Sequence, residues 1–300
     1  MKNWSIPTPP ITVFLTTWSF DPVAAAIIAI TGVSYVFWVV RLRTLGHHWP
    51  LRFTLAFLFL GLGSYAVVSF GFLGTYSQEL RWAFTTRIAL LLFVVPALVF
   101  LGKPVALARL AIRSTKRKNL DRVLRSAPMR LFSNAIFSPI FTCSVFLIFL
   151  TPVAGNFRES YAAQLAVSAL APLAGLLLVV PVAGSMLVRT TFFITVEFLL
   201  AFVEVLLDSI PGLLLRINDS VLDGATRIAT QVPGWFPSPL HDQHLSGDFL
   251  WFIAEIADIP ILIVLFLRWM HLDRKESKRL DELSDEEMAE LTRQHLQQRI

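Results

Sequence analysis

The stretch PLHDQHLSGDFLWFIAEIADIPILIVLFLRWM, Pro239 to Met270, joins a long apolar run to acidic residues that lipid would reject. Its apolar part, Phe249 to Met270, is long enough to cross a bilayer as a helix rising about 1.5 Å per residue. Glu255 and Asp258 lie inside it, and Asp248 stands at its entrance. Upstream, Phe192 to Arg216 forms a second membrane-length segment that carries Glu197, Glu204 and Asp208. A helix turns about 100° per residue, so Glu197, Glu204 and Asp208 fall on one stripe, and Asp248, Glu255 and Asp258 are expected to share a face in the same way. A carboxylate near the bilayer centre costs roughly 2.5–3.5 kcal/mol even on insertion scales, so both stripes are expected to face protein, water or each other.

The rest of the chain fits that interior. Of 300 residues, 55% are hydrophobic and only 16% charged, and the mean hydropathy of +0.64 is far above that of a soluble domain. The reading is an all-α, polytopic membrane protein with seven transmembrane helices. The spans are expected near Val23–Val40, Phe53–Leu73, Trp82–Leu101, Leu131–Leu150, Ala162–Met186, Phe192–Arg216 and Phe249–Met270. Residues 1–271 would form the transmembrane domain, with the first helix as its own insertion signal, and 272–300 a charged cytosolic tail with a helix after Ser284. Basic residues concentrate in Arg41–Arg52, Lys103–Arg130, Arg189 and the tail from Arg268, whereas the alternate loops hold Arg81, Arg158, Arg216 and Arg227. The positive-inside rule then puts the N-terminus outside and the C-terminus in the cytosol.

That topology spreads the six carboxyl groups over most of the membrane depth, an arrangement suited to proton relay or cation passage, or to neutral glue within a tight bundle. Arg87 is the best cation within a span to face them. At the outer face, His241, His244 and Asp248 follow intervals of three and four, which allow a shared Zn(II) or Cu(II) site. The single Cys143 excludes an internal disulfide and any cysteine metal cluster. A phosphate-binding Gly-rich loop, His-Glu-x-x-His and Gly-x-Ser-x-Gly are absent, and no predicted span holds the lysine that a retinal Schiff base needs, so the chain is not expected to be an enzyme or a retinal protein. Nothing points to nucleic acid as a partner.

Three further pieces carry a likeness: Trp18-Ser-Phe-Asp21-Pro22 before the first span, Pro96-Ala-Leu-Val-Phe-Leu-Gly102-Lys-Pro104 closing the third, and Asp242-Gln243-His-Leu-Ser-Gly247-Asp-Phe-Leu-Trp251 opening the seventh, followed by Arg268-Trp269. In order and spacing the chain resembles the CtaG family of assembly factors for caa-type cytochrome c oxidases. The resemblance implies a factor of the bacterial cytoplasmic (inner) membrane that helps mature a haem-copper oxidase of the respiratory chain, with oxidase subunits or another membrane complex as partner and copper as the possible cofactor. It also marks Asp21 and Asp242 as outer-face positions, either of which would serve equally as a helix cap. Members commonly carry a His-x-x-x-His pair in the third span, whereas the corresponding positions here are Phe84 and Ile88. Two alternatives stay open: a transporter or channel for protons or metal cations using the intramembrane carboxylates, and a structural subunit of a membrane complex.

Overall fold

The computed structural model describes residues 9–112, 114–124, 126–132, 134, 137–184, 191–224 and 233–281. Among these the secondary structure is helical throughout. A short helix α1 (Ile11–Thr16) precedes α2 (Pro22–Thr44), α3 (Leu51–Thr75) and α4 (Arg81–Leu101). Three shorter helices follow, α5 (Pro104–Ala111), α6 (Ser114–Leu124) and α7 (Ala127–Phe132), then α8 (Phe137–Leu150) and α9 (Pro152–Glu159). The long helices α10 (Tyr161–Gly184), α11 (Thr191–Ile217) and α12 (Pro239–Asp281) complete the bundle.

Among the described residues five segments are long and apolar enough to cross a membrane: Pro22–Thr44, Leu51–Thr75, Arg81–Leu101, Tyr161–Val179 and Phe198–Ile217. The pair α8 and α9 makes a sixth if counted together, but it bends by 84° at Thr151. Thr151 is extended and Pro152, lacking an N–H, starts a new helix instead of prolonging the old one. The expected seventh span, Phe249 to Met270, falls within α12. The expected fourth begins later than its hydropathy suggests, because Leu131 and Phe132 end the separate helix α7. The basic connector is likewise three helices, with Arg109 and Asp121 paired at 3.3 Å between two of them. The tail helix expected after Ser284, the side chain of Glu197, and Arg113, Arg125, Arg189 and Arg227 lie outside the described residues.

Packing makes α4 the central helix. Of its apolar window 56% is buried, against 17% for α2, whose Ile30, Val33, Phe37 and Val40 point outward. Helix α4 touches α3, α10 and α12, and the largest core cluster joins its Phe84, Ile88, Ala89 and Leu92 to Phe146 and Phe149 of α8, Leu215 of α11 and Leu250, Ile253 and Ala254 of α12. An outward-facing apolar surface around a core of this kind is what a lipid solvent permits. Where α4 ends, the Gly102-Lys103-Pro104 turn has a local physical reason. A Cβ on Gly102 would stand 2.5 Å from Phe57 Cβ, Lys103 adopts the left-handed conformation at φ 50°, and Pro104 opens α5. The Tyr35 hydroxyl donates to the Gly102 carbonyl at 2.7 Å and accepts from Trp49 Nε1 at 3.2 Å, tying α2 to this turn.

Candidate functional site

The end of the bundle that holds Asp21 is built from charged groups that the apolar helices draw inward. Asp21 caps α2: its Oδ1 accepts from the N–H groups of Val23 and Ala24 at 2.9 and 3.0 Å. Its Oδ2 faces Arg87 Nη2 of α4 at 3.2 Å and accepts a short hydrogen bond from Ser168 Oγ of α10. Arg87 also donates to Ser168 Oγ at 2.5 Å and to Gln164 Oε1 at 2.7 Å. Gln164 Oε1 accepts from Ser77 at 2.9 Å, and Gln164 Nε2 donates to the Arg158 carbonyl at 3.0 Å. Arg158 in turn donates to Asp223 Oδ2 at 2.8 Å and to the carbonyls of Gln78 and Glu79. Burial pushes the Glu79 carboxyl above the ordinary range of a glutamate.

A second branch of this layer fixes the start of α4. Leu80, at the N-cap position, has no side chain able to cap. Asp242, from α12, supplies the cap across the fold, accepting from the N–H groups of Arg81 and Trp82 at 2.8 and 2.9 Å. Burial raises the Asp242 carboxyl, and these two N–H groups with the Arg158 and Arg81 guanidiniums oppose the rise. Arg81 donates to Gln243 Oε1 and to the Phe149 carbonyl, both at 2.5 Å, and the hydroxyls of Thr85 and Ser246 lie 2.7 Å apart. Three buried guanidiniums, Arg81, Arg87 and Arg158, are thus accompanied by three buried carboxylates, Asp21, Asp223 and Asp242. A network satisfied to this degree holds helix ends in register and leaves few donors for a ligand. Above it, Phe72, Tyr76, Trp82, Trp235 and Phe236 form an aromatic cap, with Phe14 of α1 against Phe72 at 4.2 Å.

The sequence-predicted residues divide among different places. Arg87, expected to face the acidic stripes, is committed to Asp21 instead, because α10 brings Gln164 and Ser168 to accept from its two Nη groups. Asp208 of α11 is buried and faces Glu204 on its own helix and Asp258 on α12, with Cys143 of α8 nearby. Asp248 leaves that group, whereas Glu255 lies beside Asp258 on the same helix. Ten residues at about 100° carry Asp258 roughly 80° around the helix from Asp248, enough to move it from the exposed face toward the packed one. Asp248 is exposed and pairs with Arg216 at 3.1 Å, and Glu255 accepts from Trp251 Nε1 on its own helix. His244 Nε2 lies 3.2 Å from the Asn218 carbonyl. Among the described residues no three His, Cys, Asp or Glu side chains are placed to hold a metal ion, so His241, His244 and Asp248 are not gathered into a ligand set. Phe84 and Ile88 are core residues, with Phe84 edge-on to Phe149 at 6.0 Å.

Sequence reasoning passed over Arg81, Arg158, Gln164, Ser168, Asp223 and Gln243. The available signal was Gln164 with Ser168, polar residues four apart and therefore on one face of an otherwise apolar span.

The glycines explain how the acidic helices come so close. A Cβ on Gly247 of α12 would lie 2.4 Å from the Gly212 carbonyl of α11, and one on Gly212 would lie 2.8 Å from the Gly247 carbonyl. Glycine on both sides lets the two backbones touch.

Comparisons with known proteins bear on this arrangement. An uncharacterised protein of Mycobacterium bovis and one of Mycobacterium tuberculosis are each 23% identical over 297 residues, covering 96% of this chain and 45% of their own length. A Mycobacterium leprae protein, also uncharacterised, is similar to the same degree. The chain therefore spans less than half the length of these relatives. No solved structure matches. The family profile Caa3_CtaG, described as cytochrome c oxidase caa3 assembly factor, matches residues 33–271. That match runs from α2 to α12 through the whole polar layer except Asp21, and the chain belongs to the Caa3_CtaG family of cytochrome c oxidase assembly factors.

Proposed function

We propose that this chain supports the assembly of a haem-copper cytochrome c oxidase in the bacterial cytoplasmic membrane, as a seven-span factor with the Asp21 end outside and the charged tail, residues 272–300, in the cytosol. The family match over residues 33–271 is the observation that carries the reading. The rigid polar layer and its aromatic cap supply a fixed surface at the outer membrane boundary, where Trp and Tyr are favoured. An oxidase subunit emerging from the bilayer would be held there during maturation. Phe84 and Ile88 offer no lone pair and fill the core, so the role assigned is subunit handling, with no copper held at those two positions. The transporter and structural-subunit readings draw no support from the family match.

The test is oxidase activity together with spectroscopically detected oxidase copper, in membranes of a deletion strain with and without the wild-type gene. Deletion is expected to lower assembled oxidase and the gene to restore it. Normal oxidase in the deletion strain would remove the assignment.

A further inference from the structure

Asp208 is 1% exposed, and neither of its carboxyl oxygens has a hydrogen-bond partner among the described residues. Asp258, across the helix interface, is 8% exposed and has Oδ2 unpartnered as well. Both lie on helices whose other faces are lined with Leu, Ile, Phe and Val, and the close crossing at Gly212 and Gly247 begins one helical turn from Asp208. The groups that face Asp208 and Asp258 are acids or weak acids: Glu204 on α11, Glu255 on α12 and Cys143 on α8. Among the described residues the buried or neighbouring cations are engaged elsewhere, Arg87 with Asp21, Arg158 with Asp223 and Arg216 with Asp248. An ionised carboxylate without hydrogen bonds or counter-charge in such a place is among the least favourable arrangements a protein can contain. Adjacent carboxyls compound the cost, since neighbouring groups cannot all ionise.

We infer that Asp208, with Asp258 and Glu204 around it, is a proton-binding site between α11 and α12, in which the Asp208 carboxyl is held neutral at neutral pH. The bound proton is what allows the two helices to close on each other at Gly212 and Gly247. Loss of the proton places a charge in the interface and favours its opening, so the packing of α11 on α12 follows the proton activity that reaches this depth. The site is independent of the assembly role, and its test involves no oxidase.

The experiment uses the full chain in lipid nanodiscs. Infrared spectra at neutral pH are expected to contain the carbonyl stretch of a protonated carboxylic acid that disappears in Asp208→Asn. Because the folded state holds a proton that the unfolded state releases, the wild-type Tm should fall as pH rises through the titration of the site. The Tm of Asp208→Asn should be at least as high at neutral pH and flatter with pH. A carbonyl band unchanged in Asp208→Asn, or a wild-type Tm that rises with pH over that range, overturns the inference. So does stabilisation of wild type by Na⁺ or Mg²⁺ that Asp208→Asn abolishes, since the site would then hold a cation. Should Asp208→Asn fail to fold, Asp258→Asn decides: removing the neighbouring acid must shift the Tm transition to lower pH, and an unshifted profile overturns the proposal.

Discussion

Asp21 serves four neighbours with two oxygens: one caps α2 through two backbone N–H groups, and the other meets Arg87 and Ser168. Removing Arg87 would leave a buried carboxylate partly compensated. Arg87→Met is therefore expected to destabilise the protein by about 3–5 kcal/mol, the range for breaking a buried pair from one side. Pairing it with Asp21→Asn should return part of that loss, because the charge left behind is then gone. Thermal unfolding in detergent checks both, and equal Tm values for Arg87→Met and wild type would show that the pair contributes nothing. Asp242→Ala strips the cap from α4 and should cost about 1–2 kcal/mol, whereas Asp248→Ala, at an exposed pair, should cost at most about 1 kcal/mol. Asp21 was legible in sequence as an acid before Pro22, a cap and first-turn pair. Its ion pair was not, because Arg87 lies 66 residues away and only the packing of α4 on α2 and α10 joins them.

At the scale of the element, α11 and α12 pack along one another more extensively than any other pair of helices. The periodicity of Glu197, Glu204 and Asp208 placed them on one stripe, and Glu204 and Asp208 face one another along α11. On α12 the same reasoning grouped residues too broadly, since helical neighbours within about 80° can still lie on opposite sides of a packing boundary. What sets that boundary is the Gly212–Gly247 contact, which fixes how α12 is rotated against α11. Gly247→Leu should force the helices apart by driving a side chain into the Gly212 carbonyl, costing at least the 1–3 kcal/mol typical of overpacking. Gly234→Ala is the control, because a Cβ there meets nothing within 4 Å. Folded yield after solubilisation compares the two, and comparable yields would mean the helices do not depend on this contact.

At the scale of the whole molecule, the proposed topology puts Trp18 outside and Lys118 in the cytosol. With Cys143 replaced by Ser, a membrane-impermeant maleimide is expected to label Trp18→Cys in intact cells and Lys118→Cys only after permeabilisation. The reverse pattern would invert the topology and move the polar layer to the cytosolic boundary. Central placement of α4 also makes a functional expectation. Variants that loosen its Asp21 end, such as Asp242→Ala, should lower assembled oxidase in complemented cells more than changes on the outward face of α2, such as Val33→Ala. Immunoblotting for the chain separates this effect from simple loss of protein.

Long apolar runs, acids that lipid excludes, and the asymmetry of Lys and Arg along the chain determined by themselves that this is a helical membrane protein, and the ordered motifs at Asp21, Gly102 and Asp242 pointed to its family. These properties are local: each follows from the transfer cost of side chains close together in sequence. Which charges meet was decided only by the tertiary structure. Arg81, Arg87 and Arg158 find their partners across 65 to 162 residues, and Asp208 is left without a hydrogen-bond partner among the described residues, because helix rotation and close backbone approach, not spacing along the chain, set which polar groups share the interior.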